Sequence, residues 1–478
     1  MRTFSQALAR VDTPLPRRPG AVRRRRLALD LAPAELFSRL RGARRLLFLD
    51  TARGEPGLGA RSYLAWDPLL FVRMNGQRGE LEGREGASRG AFRDDPFAVV
   101  AALERWIAQR TRGVRRALRP RGFETGLAGV FGYDLRLALE RLPRAAPAGG
   151  ELPDLALGVY DRVLVHDHGS GAWTSLGTVR EAHGLDDLRS EAAGPRGPLR
   201  VGPLRIGRLR ASVGRAGFER RVRDVVRRIH AGDVYQVNLS RRLDATVHGD
   251  PADVYLRLRE TNPAPYAGYL DTGRGHVLSS SPERFLRVEG RRVTTWPIKG
   301  TRPRGETRAD DAQLRAELRG SEKDRAELAM IVDLLRNDLH RVARPGSVSV
   351  ERHAFVRSYA AVHHLVSEVA ARLPRSVSAA DLLRATFPGG SITGAPKIRA
   401  CEIIDELEPV RRGAYTGALG WIGRDGDLDL NVLIRTIQIR DGRLTLHVGG
   451  GIVADSSPAA EFEETVDKAR ALREALER

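Results

Sequence analysis

Residues 428–453, LDLNVLIRTIQIRDGRLTLHVGGGIV, constrain the fold more than any other stretch. Two runs rich in β-favouring residues meet at Asp441-Gly442, a dipeptide that accepts the left-handed backbone of a tight hairpin turn. Near the end of the second run stand three successive glycines, Gly449 to Gly451, and SSPAAEFEETVDKARALREAL begins four residues after them. A serine cap and Pro458 in the first turn predict a helix there. The chain must therefore hold an antiparallel pair and a helix in immediate succession, which requires a mixed α and β architecture.

The rest of the pattern is of the same kind. GLAGVFGYDL, 126–135, reads as a buried glycine-rich strand running into a helix. Apolar residues at 218, 222, 225, 226 and 229 have helical spacing. AGDVYQVNLSRRLDATV reads as a turn plus a strand, and GHVLSSSPERFLRVEGRRVTTWPIKG as two or three short strands. SEKDRAELAMIVDLLRNDLHRV is an amphipathic helix. Residues 1–26 read as a loose Arg/Pro arm. The Gly-, Pro- and Arg-rich stretch 191–217 is the best boundary between an N-terminal region, 27–210, and a C-terminal region, 211–478.

The chain has 478 residues, room for about three domains or one large two-part enzyme. Hydrophobic residues are 41% and charged residues 29%, a globular balance. No apolar run approaches the roughly 18–20 residues of a membrane helix. The first twenty residues lack the apolar core of a signal peptide, so a cytoplasmic enzyme is expected. A single cysteine, Cys401, excludes a disulfide framework and a cysteine zinc cluster. The formal net charge of +20 invites a nucleic-acid reading. The excess is spread along the chain, however, and no basic stretch is interleaved with aromatics for base stacking. Only four of the 80 basic residues are lysines: Lys299, Lys323, Lys397 and Lys468. Lysine can lose its proton and act as a nucleophile where arginine cannot, so these four mark candidate chemistry.

Some motif-like patterns fail. Asp425, Asp427 and Asp429 imitate a calcium loop, but Leu430 stands where glycine is needed and Thr436 where glutamate is needed, so a hairpin turn is the better reading. No P-loop, HExxH or GxSxG occurs. The run Gly449 to Gly451 lacks dinucleotide-binding spacing. It either admits a ligand close to the backbone or forms a bulged turn. Asp324 and Glu327 share a face of one helix, as do Glu461 and Glu464 of another. Facing each other, the pairs would make an all-oxygen Mg²⁺ site; apart, they are solvated helix faces, with Glu464 free to pair with Lys468. Lys299, between Pro297-Ile298 and Gly300, would be a nucleophile if desolvated, or a strand-end lysine reaching solvent. Glu283, sixteen residues earlier, could lie on a neighbouring strand as its proton acceptor, a general acid or an ion-pair partner.

SPERF, PIKGTRPRG, AELAMIVDLLRNDL, HHLVSEV, GGSITGAPKIRA, AYTGALGW, VLIRT and GGGIVADSSPAAEFEET follow in this order. Together they resemble the chorismate-utilising enzymes, which include anthranilate, aminodeoxychorismate, isochorismate and salicylate synthases. The resemblance is dense over 218–478 and looser before it. It implies an α/β (α+β) fold, a two-layer sandwich of large, mostly antiparallel sheets with helices outside. It implies Mg²⁺ on Glu327 and Glu464, with Asp324 and Glu461 as second members; Asp324 replaces a frequent Glu and has a shorter reach. Gly300, Thr301, Tyr415, Arg435, Gly449, Gly450 and Gly451 match chorismate-contacting positions. Lys468 matches a lysine facing the ring carboxylate, Ser391 a ligand-side hydroxyl, and His364 an active-site histidine of variable role.

Two positions separate the branches. Water-adding members carry a Lys base where this chain has Gln236, and glutamine is no base at neutral pH. Anthranilate synthases usually read PIAGT, whereas aminodeoxychorismate synthases read PIKGT, as here. The resemblance thus implies an aminodeoxychorismate-forming enzyme of 4-aminobenzoate and folate synthesis, with Lys299 as nucleophile and Glu283 as general acid and base. The alternatives are an anthranilate synthase and a non-catalytic or nucleic-acid-binding protein on the same fold. Cys401 lacks the glycine-flanked frame of a glutaminase nucleophile, so ammonia is expected from a separate glutamine amidotransferase subunit. The family's tryptophan pocket is altered at Leu49, Asp50 and Thr51, while Pro265 and Tyr266 are kept, so feedback inhibition by tryptophan is not expected.

Overall fold

The hairpin around Asp441-Gly442 forms as expected. Thr436–Arg440 pairs with Arg443–Ile452, and the two turn residues have φ of 49° and 71°, as a tight left-handed turn requires. The structure, a computed structural model, describes residues 2–9, 23–54, 58–84, 89–112, 116, 121–143, 152–177, 201–358 and 362–477.

On its other side Arg443–Ile452 pairs with Gln236–His248, from Val237 opposite Ile452 to Thr246 opposite Arg443. Gly449, Gly450 and Gly451 lie within this ladder opposite Ser240, Leu239 and Asn238, so the glycine run is regular sheet and not a bulged turn. The ladder belongs to a sheet of 13 strands among the described residues. Its order is Arg23–Leu27, Ala172–Gly177, Arg162–Asp167, Arg61–Ala65, Leu47–Asp50, Tyr266–Asp271, His276–Ser281, Thr436–Arg440, Arg443–Ile452, Gln236–His248 and Arg205–Ile206. Arg210–Ala211 and Gly394–Ala395 also pair with Gln236–His248.

A second sheet has 12 strands among the described residues. It runs Ile298–Pro303, Val362–Arg372, Arg292–Thr295, Arg284–Glu289, Leu428–Asn431, Ala418–Gly423, Gly126–Phe131, Leu155–Tyr160, Leu70–Asn75, Arg78–Gly83 and Arg89–Arg93, with Ser349–Ser358 beside Val362–Arg372. Strands pair antiparallel in both sheets. The turn at Asp425 to Asp427 joins two of these strands, and Asp427 takes Arg116 and Arg121 as ion partners.

Leu47, Val163, Leu270 and Val277 of the first sheet pack on Phe71, Val130, Ala156 and Leu419 of the second, which makes the middle layer of core. Helices Pro33–Arg39, Pro251–Thr261 and Pro458–Glu477 cover the outer face of the first sheet. Helices Pro96–Arg110, Glu322–His340 and Ala379–Thr386 cover that of the second. The expected sandwich with helices outside is therefore the observed fold.

The N-terminal expectation needs correction. Among the described residues of 1–26, Phe4–Leu8 is a capped helix buried through Phe4 and Ala7, and Arg23–Leu27 is an edge strand paired with Ala172–Gly177. Arginines at 24–26 are exposed there, and charge on an outer strand blocks further pairing. Nor does 191–217 divide two independent units. Residues 191–200 lie outside the described residues, and both sheets mix strands from before and after the stretch, as in Leu47–Asp50 against Tyr266–Asp271 and Gly126–Phe131 against Ala418–Gly423.

One buried ion pair ties the reactive end together. The Arg412 guanidinium donates to both Glu408 oxygens at 2.9 and 2.7 Å, to Asn238 O at 2.7 Å and to Ile392 O at 3.1 Å. Ser240 donates to Glu408 from its backbone N at 2.8 Å and from Oγ at 2.9 Å. Breaking such a pair strands a charge in the dry interior. Glu408→Ala is expected to lower stability by about 3–5 kcal/mol, read as a fall in the urea midpoint. An unchanged midpoint would contradict this role.

Candidate active site

Ile298–Pro303 forms the edge of the second sheet, with Lys299 opposite Leu365 and Thr301 opposite His364. The register shifts between them, at Gly300, whose φ is +64°. A Cβ at Gly300 would stand 2.8 Å from Asp324 Cγ and 2.8 Å from Leu318 Cδ1. Glycine therefore lets the helix Glu322–His340 close over the strand. Lys299 is only partly exposed, and the protein crowds its amine closely. Desolvation pulls the amine below the ordinary lysine value, and Lys468 pushes the same way, while Glu327, Glu283 and Glu464 oppose. The lysine is thus the desolvated kind, biased toward the form that carries a lone pair.

Glu283 lies between His276–Ser281 of the first sheet and Arg284–Glu289 of the second. It occupies the corner where the chain changes sheets, and not a strand beside Lys299. Burial pushes its carboxyl up to about 7, against the pull of a Ser391 hydrogen bond and of Lys299 and Lys468. Near neutral pH the group can therefore both give and take a proton. Ser391, in the turn Gly390–Ile392, donates from Oγ to Glu283 Oε1 at 2.7 Å. The hydroxyl expected to face the ligand is spent on the carboxyl in this structure.

Thr301 Oγ1 and His364 Nδ1 stand 2.9 Å apart. Burial, with Arg435 adding to it, holds His364 down to about 4, so the ring is neutral at physiological pH. Arg435 has φ of 51°, donates to Asn262 Oδ1 at 3.4 Å and is itself lowered by burial. Tyr415 is buried and stacked on His447, with ring centroids 5.0 Å apart and planes at 13°. Its phenol is pushed up to about 12 by burial.

Both carboxylate pairs lie on helices as the spacing required. Burial raises the Glu327 carboxyl, with Asp324 and Glu464 adding to the rise. Burial also raises Glu461, with Glu464 adding to it, while Ser456 Oγ donates to Glu461 Oε1 at 2.6 Å. A Cβ at Gly450 would lie 3.2 Å from Glu464 Oε1 and 3.4 Å from Glu461 Oε2. The pairs do not close a cage. Among the described residues no three His, Cys, Asp or Glu groups converge on one point. Asp324 meets Arg302 at 3.4 Å, and Lys468 pairs with Glu464 at 2.6 Å and donates to Gly449 O at 2.9 Å. The donor set still fits Mg²⁺: it is all oxygen, and Glu464 acts on both Glu327 and Glu461, the charge proximity that a divalent cation relieves. An open arrangement also suits an ion that keeps several waters.

Of the four lysines, Lys299 and Lys468 reach the site, and Lys323 pulls down on the Glu327 and Glu461 carboxyls. Lys397 is structural, donating to buried Asp338 at 2.5 Å, and Lys323 lies 3.6 Å from exposed Asp455. Gln236 entered the sequence reading only as the position that separates the branches and Asn238 not at all, yet both are buried at the reactive end. The available signal was a period-2 polar stripe, Gln236, Asn238 and Ser240, alternating with Val237 and Leu239 at the start of the strand. A separate cavity of about 110 Å³ is lined in part by Leu49, Thr51, Tyr63, Tyr266 and Trp421. Asp50 at its edge is committed to Ser62, Tyr255 and Arg259.

A family model described as chorismate binding enzyme matches residues 75–474. Aminodeoxychorismate synthase component 1 of Salmonella typhimurium is 45% identical over 355 residues, 74% of this chain and 77% of that protein. Anthranilate synthase component 1 of Streptomyces coelicolor is 43% identical over 375 residues, 74% of this chain and 73% of that protein. The crystal structure of anthranilate synthase component I from Streptococcus pneumoniae superposes with a TM-score of 0.74 at 31% identity, covering 88% of this chain and 93% of that one.

The Glu283 carboxyl is expected to titrate near pH 7 in difference infrared spectra, against a Glu283→Gln reference. Because the Ser391 hydrogen bond lowers that value, Ser391→Ala should move the titration upward. A wild-type titration at the ordinary glutamate pH would contradict the burial argument.

Proposed function

Because this chain belongs to the chorismate binding enzyme family, we propose that it aminates chorismate to 4-amino-4-deoxychorismate, the activity named for its aminodeoxychorismate synthase relatives. The observation that carries this reading is the Lys299 amine, crowded out of water close to a carboxyl poised near neutrality.

In the first step Lys299 Nζ bonds to C2 of the ring. Both ring double bonds shift, from C1–C2 and C5–C6 to C1–C6 and C4–C5, and the C4–O bond breaks. Glu283 gives its proton to the departing hydroxyl, which leaves as water. In the second step ammonia bonds to C4, both double bonds shift back to C5–C6 and C1–C2, and the C2–Nζ bond breaks with its electron pair returning to Nζ. The proton released by the new C4 nitrogen restores Glu283.

Chorismate is a small dicarboxylate. Arg435, Lys468 and those N–H groups of the Gly449 to Gly451 run that the ladder leaves unused supply donors for one carboxylate. Glu327 and Glu464, backed by Asp324 and Glu461, would hold Mg²⁺, which supplies charge neutralisation and orientation for the other. His364, being neutral, offers Thr301 and the ligand a hydrogen bond and not a charge. Cys401 is buried and its thiol is pushed up, the opposite of an activated nucleophile. Ammonia therefore comes from a separate glutamine amidotransferase subunit, and the product feeds 4-aminobenzoate and folate synthesis. Among the described residues no helix is long and apolar enough to cross a membrane.

Anthranilate formation is the second reading, favoured by the identity to anthranilate synthase relatives. Chorismate, Mg²⁺ and ammonium with the purified chain are expected to give aminodeoxychorismate by mass spectrometry. Lys299→Ala should abolish the product, and Glu283→Gln should slow it by about 10²–10⁴-fold. Anthranilate from the wild type would overturn the branch assignment.

A further inference from the structure

A serine, a histidine and an aspartate from three elements line up beside the candidate active site without belonging to it. Ser358 ends the strand Ser349–Ser358, and His363 stands directly opposite it on Val362–Arg372. Their side chains meet, with His363 Nδ1 and Ser358 Oγ 2.9 Å apart. The other ring nitrogen, Nε2, stands 3.0 Å from Oδ1 of Asp311, in the first turn of the helix Arg308–Gly320. Asp311 is fixed in its turn. Arg304 donates to it from Nε at 2.6 Å and from Nη2 at 3.0 Å, and Gly305 from its backbone N at 3.0 Å. These bonds, those of Arg304 first, hold the Asp311 carboxyl well below the usual carboxylate range. The His363 ring is fully buried, whereas Ser358 is exposed. His363 and His364 are consecutive on one strand, so they point to opposite faces, and the Ser358 cluster lies apart from the contact between Thr301 and His364.

Donor and acceptor chemistry assigns the protons. An ionised carboxylate only accepts, so Nε2 donates to Asp311. In the neutral ring the lone pair then sits on Nδ1, and the Ser358 hydroxyl donates to it. A hydroxyl bonded to a base, with that base oriented by a third group, is the arrangement that activates a serine as a nucleophile.

We propose that Ser358 is a second reactive centre, an acceptor of acyl groups from small activated esters, with His363 as its base and Asp311 as the residue that positions the ring. Oγ bonds to the carbonyl carbon while its proton passes to Nδ1. The bond from that carbon to the leaving oxygen then breaks with its electron pair on the oxygen, which takes the proton from Nδ1. The products are an ester on Ser358 and a free alcohol or phenol. Ser358 is met from solvent, which suits a short acyl group on a good leaving group. The proposal does not depend on the aminating reading, in which none of the three residues has a part.

The test treats the full chain with p-nitrophenyl acetate and follows acetyl groups on the digested protein by mass spectrometry over time. Ser349, exposed at the other end of the same strand, is the internal comparison. Ser358 is expected to acetylate about 10²–10⁴-fold faster than Ser349, the contribution of a positioned base. His363→Gln should bring Ser358 down toward the Ser349 rate, and Asp311→Asn should slow it by less. Equal acetylation of Ser358 and Ser349 in the wild type would overturn the proposal whether or not either variant folds. So would a Ser358 rate unchanged in a variant whose unfolding midpoint matches the wild type.

Discussion

Everything at the reactive end depends on holding one amine away from water. An exposed lysine is an ammonium with no lone pair to offer. Desolvation is the largest influence on Lys299, and the surroundings are arranged so that it is not cancelled. Glu327, Glu283 and Glu464 favour the charged form, but Lys468 opposes them and is itself drawn aside by Glu464 and Gly449 O. Gly300 makes the enclosure possible, because only a residue without Cβ lets the helix carrying Asp324 and Glu327 settle over the strand.

The groups converge only after both sheets are complete. Lys299 and His364 stand on the second sheet, Gln236 and the glycine run on the first, and Glu283 at the corner between them. Ser391 reaches Glu283 from a turn whose Ile392 carbonyl is held by Arg412. The carboxylates come from two helices lying on opposite outer faces of the sandwich. No local motif is a functional unit by itself, so the chemistry belongs to the assembled fold.

Local elements were legible in the residues and the topology was not. The Asp441-Gly442 turn, the helix of Asp324 and Glu327 and the strand after Gly232 follow from turn chemistry and periodicity. Pairing between Leu47–Asp50 and Tyr266–Asp271 joins segments more than two hundred positions apart, and no periodic signal specifies it. The sandwich was legible only through the resemblance carried by the ordered motifs. Arginines at 23–26 looked like a solvated arm because an edge strand may carry charge that an inner strand may not. The 191–217 stretch has the composition of a linker, yet sheets continuous across it make it a connection within one fold. Helical spacing placed the carboxylate pairs correctly and allowed the Glu464–Lys468 pair, but could not say that Arg302, from another element, would meet Asp324. Nor could it foresee Ser391 turned toward Glu283, since that contact needs the turn to be in place.

The central claim is that Lys299 forms a bond to the substrate. Incubating the enzyme with chorismate and Mg²⁺ without ammonia, quenching rapidly in acid and mapping the intact and digested protein by mass spectrometry tests it directly. The expected result is a mass gain of one chorismate less one water, located on Lys299 and absent from Lys299→Ala. An enzyme that aminates chorismate once ammonium is added, yet shows no adduct at any quench time or carries it on another residue, would contradict the account.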